Sequence, residues 1–240
     1  TKDDFQETAD AETSSELYAE RFGGEIGSWF LSVQKEATLR MLAPYPGATI
    51  LDLGGGHGQT TEALVRRHFD VTVAGSSERS QSRIQSLVDR NLCNFEVPFD
   101  DKSFGVVMCY RLLPHIKQWE RFLAEMSRVA EKCILVDYPE KHSINYFPPQ
   151  FLQFKRQLEG NTRSYTCFTG EELLREFRQH HFVNSDQYPE FFLPMFLHRK
   201  LKRLRLSTIL ERSSRQLGLT SRFGSPRILK LIREQQIRIM

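Results

Sequence analysis

The chain lacks the cysteine pattern of a disulfide scaffold or a zinc site. Its four cysteines, Cys93, Cys109, Cys133 and Cys167, are scattered, with no C-x-x-C pair. Cys109 and Cys133 fall in strand-like runs and read as buried hydrophobes. No apolar stretch approaches the about 20 residues that a membrane-spanning helix needs. No internal repeat or low-complexity tract is present, which excludes solenoids and arrays. The first residues, TKDDFQETADAETSSE, are acidic and hold no apolar signal core, so the expected compartment is cytoplasmic. Acidic residues are scarce at the other end. From 195 to 240 there are 12 Lys and Arg against 2 Asp and Glu, a local excess of +10 in a chain of net charge +3. The remainder therefore carries −7. Such a split marks either a docking face or a solvated helical face.

What is present suits a soluble globular protein: 240 residues, 40% hydrophobic and 26% charged. One α/β domain over 15–240, preceded by a disordered acidic tail over 1–14, is the expected organisation. Residues 15–42 have a helical pattern through Leu17, Tyr18, Phe22, Phe30, Leu31, Leu39 and Leu42, which Gly23, Gly24 and Gly27 are expected to break into two pieces. The turn Pro44-Tyr45-Pro46-Gly47 delivers the chain to TILDLGGGHG at 49–58. Ile50, Leu51 and Leu53 form a short buried strand there, with Asp52 near its end. Gly54, Gly55, Gly56 and Gly58 make the turn, and 59–68 a helix with Ala63, Leu64 and Val65 on its apolar side. A strand entering a helix through glycines lets a ligand approach bare backbone and a helix N-terminus.

Further strands are expected at 71–74, 94–97, 104–110, 133–137, 182–187 and 226–233, with helices at 79–89, 119–129 and 169–180. Strands alternating with helices imply a parallel, doubly wound sheet. Thr169 and Glu172 have capping-box spacing. Residues 141–168, with Tyr146, Phe147, Phe151 and Phe154 around Pro148-Pro149, read as a helical flap. The segment 195–217 reads as one basic amphipathic helix with Leu197, Leu201 and Leu204 on its apolar side.

The spacing of the glycine turn separates two ligand classes. A dinucleotide fingerprint counted from Gly54 needs glycine at 59, where Gln59 stands. The pattern present, D-x-G-x-G-x-G, resembles motif I of class I S-adenosylmethionine-dependent methyltransferases. The later stretch EVPFDDKSFGVVMCYRLLPHI (96–116) resembles the L-P-F…S-F-D-x-V segment of the ubiquinone/menaquinone-biosynthesis (methyltransferase type 11) group, and EMSRV (125–129) its E-x-x-R-V segment. The resemblance covers about 100 residues. It implies a Rossmann-like α/β fold with a seven-stranded sheet of order 3-2-1-4-5-7-6, and S-adenosylmethionine as cofactor.

The resemblance also implies roles. Asp52 receives the cofactor's ammonium, and Gly54, Gly55, Gly56 and Gly58 admit it against backbone. Two roles are open to His57, contact with the cofactor carboxylate or capping of the turn. The acidic residue expected after the second strand is missing, and Ser76, Ser77 or Glu78 stand in its place. Asn94 stands where an adenine contact is expected, and Gly105 replaces the Asp of S-F-D. Ligands in open α/β sheets lie beyond the carboxyl ends of strands, which brings in Tyr110, Arg111 and His115, then Asp137, Tyr138, His142 and Asn145. His115 is the candidate base, Arg111 a candidate anion or carboxylate partner, and Tyr110 a packing partner of the cofactor.

Phe147, Phe151, Phe154, Tyr165, Phe168, Phe191 and Phe192 either line an apolar acceptor pocket or form core beneath the flap. The expected partner is a small, apolar or aromatic methyl acceptor. The basic 195–217 segment is compatible with an anionic membrane surface or with simple packing on the sheet edge; RNA binding lacks aromatic interleaving or a recognised module. Two other functions stay open: an NADP-dependent oxidoreductase, suggested by Ser76 and Arg79 and opposed by Gln59, and a degenerate fold that binds without turnover.

Overall fold

The computed structural model describes residues 22–54, 60–74, 91–92, 99–144 and 166–234. Seven strands form one sheet: β1 Thr49–Leu53, β2 Asp70–Ala74, β3 Asn91–Leu92, β4 Phe104–Cys109, β5 Ala130–Tyr138, β6 Phe182–Pro189 and β7 Arg227–Arg233. Their order is β3-β2-β1-β4-β5-β7-β6, the order that the resemblance implied. Strands β1 to β5 run parallel, and β7 is antiparallel to both its neighbours. Strand β6 therefore runs parallel to β5, and its carboxyl end at Pro189 lies on the same sheet edge as those of β1, β4 and β5.

The period-2 alternation of the central strands builds two core layers. Leu51, Leu53, Val107, Cys109, Ile134 and Val136 pack on one face. Helices α3 Trp119–Val129 and α4 Gly170–Gln179 cover it through Leu123, Met126, Leu173 and Phe177. Ile50, Val106, Met108, Cys133 and Leu135 point to the other face, beneath Ala37, Met41 and Leu42 of helix α1 Gly24–Leu42. The cysteines Cys109 and Cys133 are wholly buried, as their strand-like surroundings indicated.

Local chemistry explains the element ends. Thr169 caps α4 by accepting from Glu172 N while Glu172 accepts from Thr169 N at 2.7 Å, the expected capping box. The E-x-x-R pair is a structural clamp. Arg128 reaches Glu125 at 2.9 Å, Asp101 at 2.8 Å and the Phe99 carbonyl at 2.8 Å, fastening the turn before β4 to the end of α3.

Several expectations are corrected. Gly23 and Gly24 stand at a helix boundary, Gly23 as the N-cap and Gly24 at φ +67°, whereas Gly27 does not interrupt α1, which continues to Leu42. Glycine at 27 is needed for close approach, because a Cβ there would lie 2.1 Å from the Phe22 carbonyl carbon. The helix after the glycine turn is shorter, α2 Thr61–Val65, and Val65 faces outward at 37% exposure. Strand β3 is described at Asn91–Leu92, the strand expected at 94–97 lies outside the described residues, and β5 extends over nine residues. The basic segment is two helices, α5 Met195–Leu201 and α6 Leu204–Gln216, because Lys202 turns left-handed at φ 50°. A short α7, Leu219–Phe223, follows. The expected tail at 1–14, the helix at 79–89 and most of the flap lie outside the described residues.

Candidate active site

Asp52 is the penultimate residue of β1, level with Val73 of β2 and Met108 of β4. It is 3% exposed, and the Thr61 hydroxyl donates to its Oδ2 at 3.5 Å. That distance is at the limit of a hydrogen bond. Burial, only slightly offset by Thr61, pushes the carboxyl from its ordinary 3.8 up to about 7. Gly54 follows β1 at φ +79°, and its N–H donates to the Ala74 carbonyl at 2.7 Å. A Cβ at this position would meet Leu112 Cδ2 at 2.9 Å. Both the left-handed backbone and the close packing therefore call for glycine.

Tyr110 and Arg111 leave the carboxyl end of the adjacent strand β4. The Tyr110 hydroxyl lies 2.8 Å from Thr38 Oγ1 of α1 and is buried. Burial pushes this phenol well above its ordinary value, with the negative charges of Asp137, Glu190 and Asp52 adding to the effect. Arg111 takes φ +61°, and its backbone N–H donates to Asp137 Oδ1. Its guanidinium donates to Gln34 Oε1 at 2.7 Å and lies 4.1 Å over the Phe22 ring. Asp137, near the end of β5, is pushed up to about 6 by burial despite Arg111.

The structure thus gathers Asp52, Gly54, Tyr110 and Arg111 on one sheet edge. His115 ends a single 3-10 turn, Leu113–His115, beyond Arg111 and is half-buried, its N–H donating to the Leu112 carbonyl at 2.9 Å. Gly55, Gly56, His57, Gly58, Ser76, Ser77 and Asn94 lie outside the described residues, as do Glu78, Arg79 and Asn145. His142 sits on an exposed turn, 3.5 Å from Glu140. Of the aromatics expected around an acceptor, Phe168 and Phe191 are core. Phe168 packs on Trp119 with ring centroids 5.3 Å apart, and Phe191 on Phe30 at 5.1 Å.

Sequence reasoning missed Gln34, Thr38 and Glu190. Gln34 and Thr38 stand on the buried stripe of α1 with Phe30, Ala37 and Met41, where polar residues are conspicuous. Glu190 immediately follows β6 and is 3% exposed. Burial first, and the charge of Asp137 second, push it from 4.5 to about 8, and its Oε1 has no hydrogen-bond partner among the described residues. Applying the carboxyl-end rule to β6 as well as β4 and β5 would have found it. Among the described residues no cluster of His, Cys, Asp and Glu suits a metal ion, and no helix is long and apolar enough to cross a membrane.

This sheet order, with an antiparallel seventh strand, is a fold shared with solved S-adenosylmethionine-dependent methyltransferases. Residues 51–132 match the family model described as a methyltransferase domain. Over 102 residues the chain is 30% identical to demethylmenaquinone methyltransferase of Tropheryma whipplei, covering 40% of this chain and 42% of that protein. The chain thus matches less than half the length of the curated relative. Magnesium protoporphyrin IX methyltransferase from Synechocystis, solved with bound S-adenosylhomocysteine, superposes with TM-score 0.63 at 13% identity, over 93% of this chain and 95% of that one. A possible histamine N-methyltransferase from Thermotoga maritima gives TM-score 0.59 at 17% identity, over 90% and 98%.

Proposed function

We propose that this chain transfers a methyl group from S-adenosylmethionine to a small, apolar or aromatic acceptor and releases S-adenosylhomocysteine. The observation that carries the reading is the buried Asp52 carboxylate, whose one hydrogen bond among the described residues is the long one from Thr61, beside the obligate glycine at 54 at the carboxyl edge of β1. A ligand ammonium beside it would supply the compensation that burial removes. The residues present fit the cofactor. When bound, S-adenosylmethionine supplies an electrophilic methyl group on a sulfonium.

The chain's own residues then have separable tasks. Asp52, ionised, holds the ammonium, while Gly54 keeps the turn low enough for ligand to approach backbone. The Tyr110 hydroxyl is engaged by Thr38 and stays protonated, which makes it a positioning residue rather than a base. Arg111, fixed by Asp137 and Gln34, lines the acceptor side of the same edge. His115 is the group of the right type to accept a proton from an oxygen or nitrogen acceptor. The candidates Gly55, Gly56, His57, Gly58, Ser76, Ser77 and Asn94 complete the cofactor set. The name of the Tropheryma whipplei relative supports an aromatic acceptor.

The test is turnover with a panel of phenols and quinones reduced to quinols, read as S-adenosylhomocysteine release. One acceptor should give release that falls by about 10²–10⁴-fold in His115→Ala with cofactor affinity retained. Cofactor binding together with no release from any acceptor in a broad panel would contradict the proposal.

A further inference from the structure

Helix α6 exposes more aliphatic surface than a helix whose sole task is packing would. Its buried positions are Ser207, Glu211 and Ser214. Glu211 anchors it by polar contacts. Its carboxylate accepts from the Phe192 and Leu193 N–H groups at 2.8 Å each and lies 3.0 Å from His198 Nε2. Leu204 and Leu210 are half-buried, but three other aliphatic side chains point outward: Leu206 is 38% exposed, Ile209 60% and Leu217, just past the helix end, 75%. At 100° per residue, Leu206, Ile209 and Leu217 share one stripe, bordered on one side by Arg205 and Arg212. Lys202, Arg203, Arg205 and Arg212 are exposed, and none forms an ion pair among the described residues.

We propose that the outward stripe of α6 docks the protein on an anionic lipid bilayer, with Leu206, Ile209 and Leu217 entering the interface and the flanking cations meeting the headgroups. An exposed aliphatic stripe bordered by arginines is the chemistry of an interfacial helix. The alternatives fit less well. A second copy seated on this face by two-fold symmetry would set Arg205 and Arg212 against their own equivalents. Single-stranded nucleic acid would find cations but no aromatic side chain in the stripe to stack on. The helix is also tied to the candidate site, since Arg215 Nη2 donates to the Pro189 and Glu190 carbonyls at 3.1 and 2.9 Å. Docking through α6 therefore fixes the orientation of the carboxyl end of β6, behind the helix, relative to the bilayer.

Co-sedimentation of the full chain with vesicles tests this without any need for turnover. Vesicles of phosphatidylcholine mixed with phosphatidylglycerol should carry the protein down at low salt, and phosphatidylcholine alone should not. Replacing both arginines (Arg205→Gln with Arg212→Gln) should weaken binding by roughly ten- to thirtyfold. Ile209→Glu should weaken it by about tenfold or more. Because Ile209 is exposed, its variants should keep the wild-type melting temperature; if Glu lowers it, Ile209→Ser gives the same reading with a smaller change. No sedimentation with the anionic vesicles would overturn the proposal, as would full binding by the Ile209 variants. Preferential binding of single-stranded RNA, or a dimer that these substitutions dissociate, would also overturn it.

Discussion

Replacing Asp52 by Asn should make the protein more stable and a poorer binder of its cofactor. Burial raises the carboxyl from 3.8 to about 7, so at alkaline pH the folded state holds a charge that it disfavours. The corresponding penalty has a ceiling on the order of 4 kcal/mol. Asn keeps the shape, and its carbonyl still accepts from the Thr61 hydroxyl, so about 1–3 kcal/mol of that penalty should return as stability at pH 8. For a chain of this length each kcal/mol moves Tm by about 2–4 °C. The gain should shrink toward pH 4, where the wild-type carboxyl is protonated in the folded and increasingly in the unfolded chain. Meanwhile the loss of a charge-assisted contact to an ammonium should weaken S-adenosylmethionine binding by roughly ten- to a hundredfold. Thermal melts at pH 5 and 8, with calorimetric titration of the same samples, give both readings. A lower Tm at pH 8, or unchanged affinity, would refute the assignment.

Wild-type affinity should itself depend on pH: with the carboxyl titrating at about 7, binding at pH 6 should be roughly tenfold weaker than at pH 8, measured by titration at the two values. Stability of the free protein should move the other way. Asp52, Asp137 and Glu190 all hold protons that the unfolded chain has already lost, so melts should show stability falling as pH rises from about 4 to 8. Gly54→Ala must place a Cβ against Leu112 at positive φ, which should cost about 1–3 kcal/mol in denaturant titration and weaken cofactor binding. Thr169→Ala, which removes the α4 cap far from Asp52, should cost about 1 kcal/mol and leave cofactor affinity unchanged.

The sequence made the sheet legible because β4 and β5 are nearly unbroken apolar runs, as strands covered on both faces must be. Helix α3 and the α4 capping box were legible because amphipathic period and cap chemistry agree. What was misread has physical reasons. Gly27 looks like a helix breaker, yet it sits inside α1 because Phe22 packs against its backbone. Residues 195–217 have one continuous helical period, and only the left-handed turn at Lys202 divides it. The outward face of α6 could not be read from periodicity, which gives a stripe but not which way it points. The placement of Asp52 and Gly54 at the carboxyl end of β1 was readable from the strand-then-glycine pattern, whereas the placement of Glu190 depends on where β6 ends in space.

The most direct test of the central claim is parallel titration calorimetry of the purified chain with S-adenosylmethionine, S-adenosylhomocysteine and NADPH. Micromolar binding of the first two, weakened in Asp52→Asn, with no heat from NADPH, is the predicted result. Binding of NADPH alone, or no binding of any of the three, would contradict it.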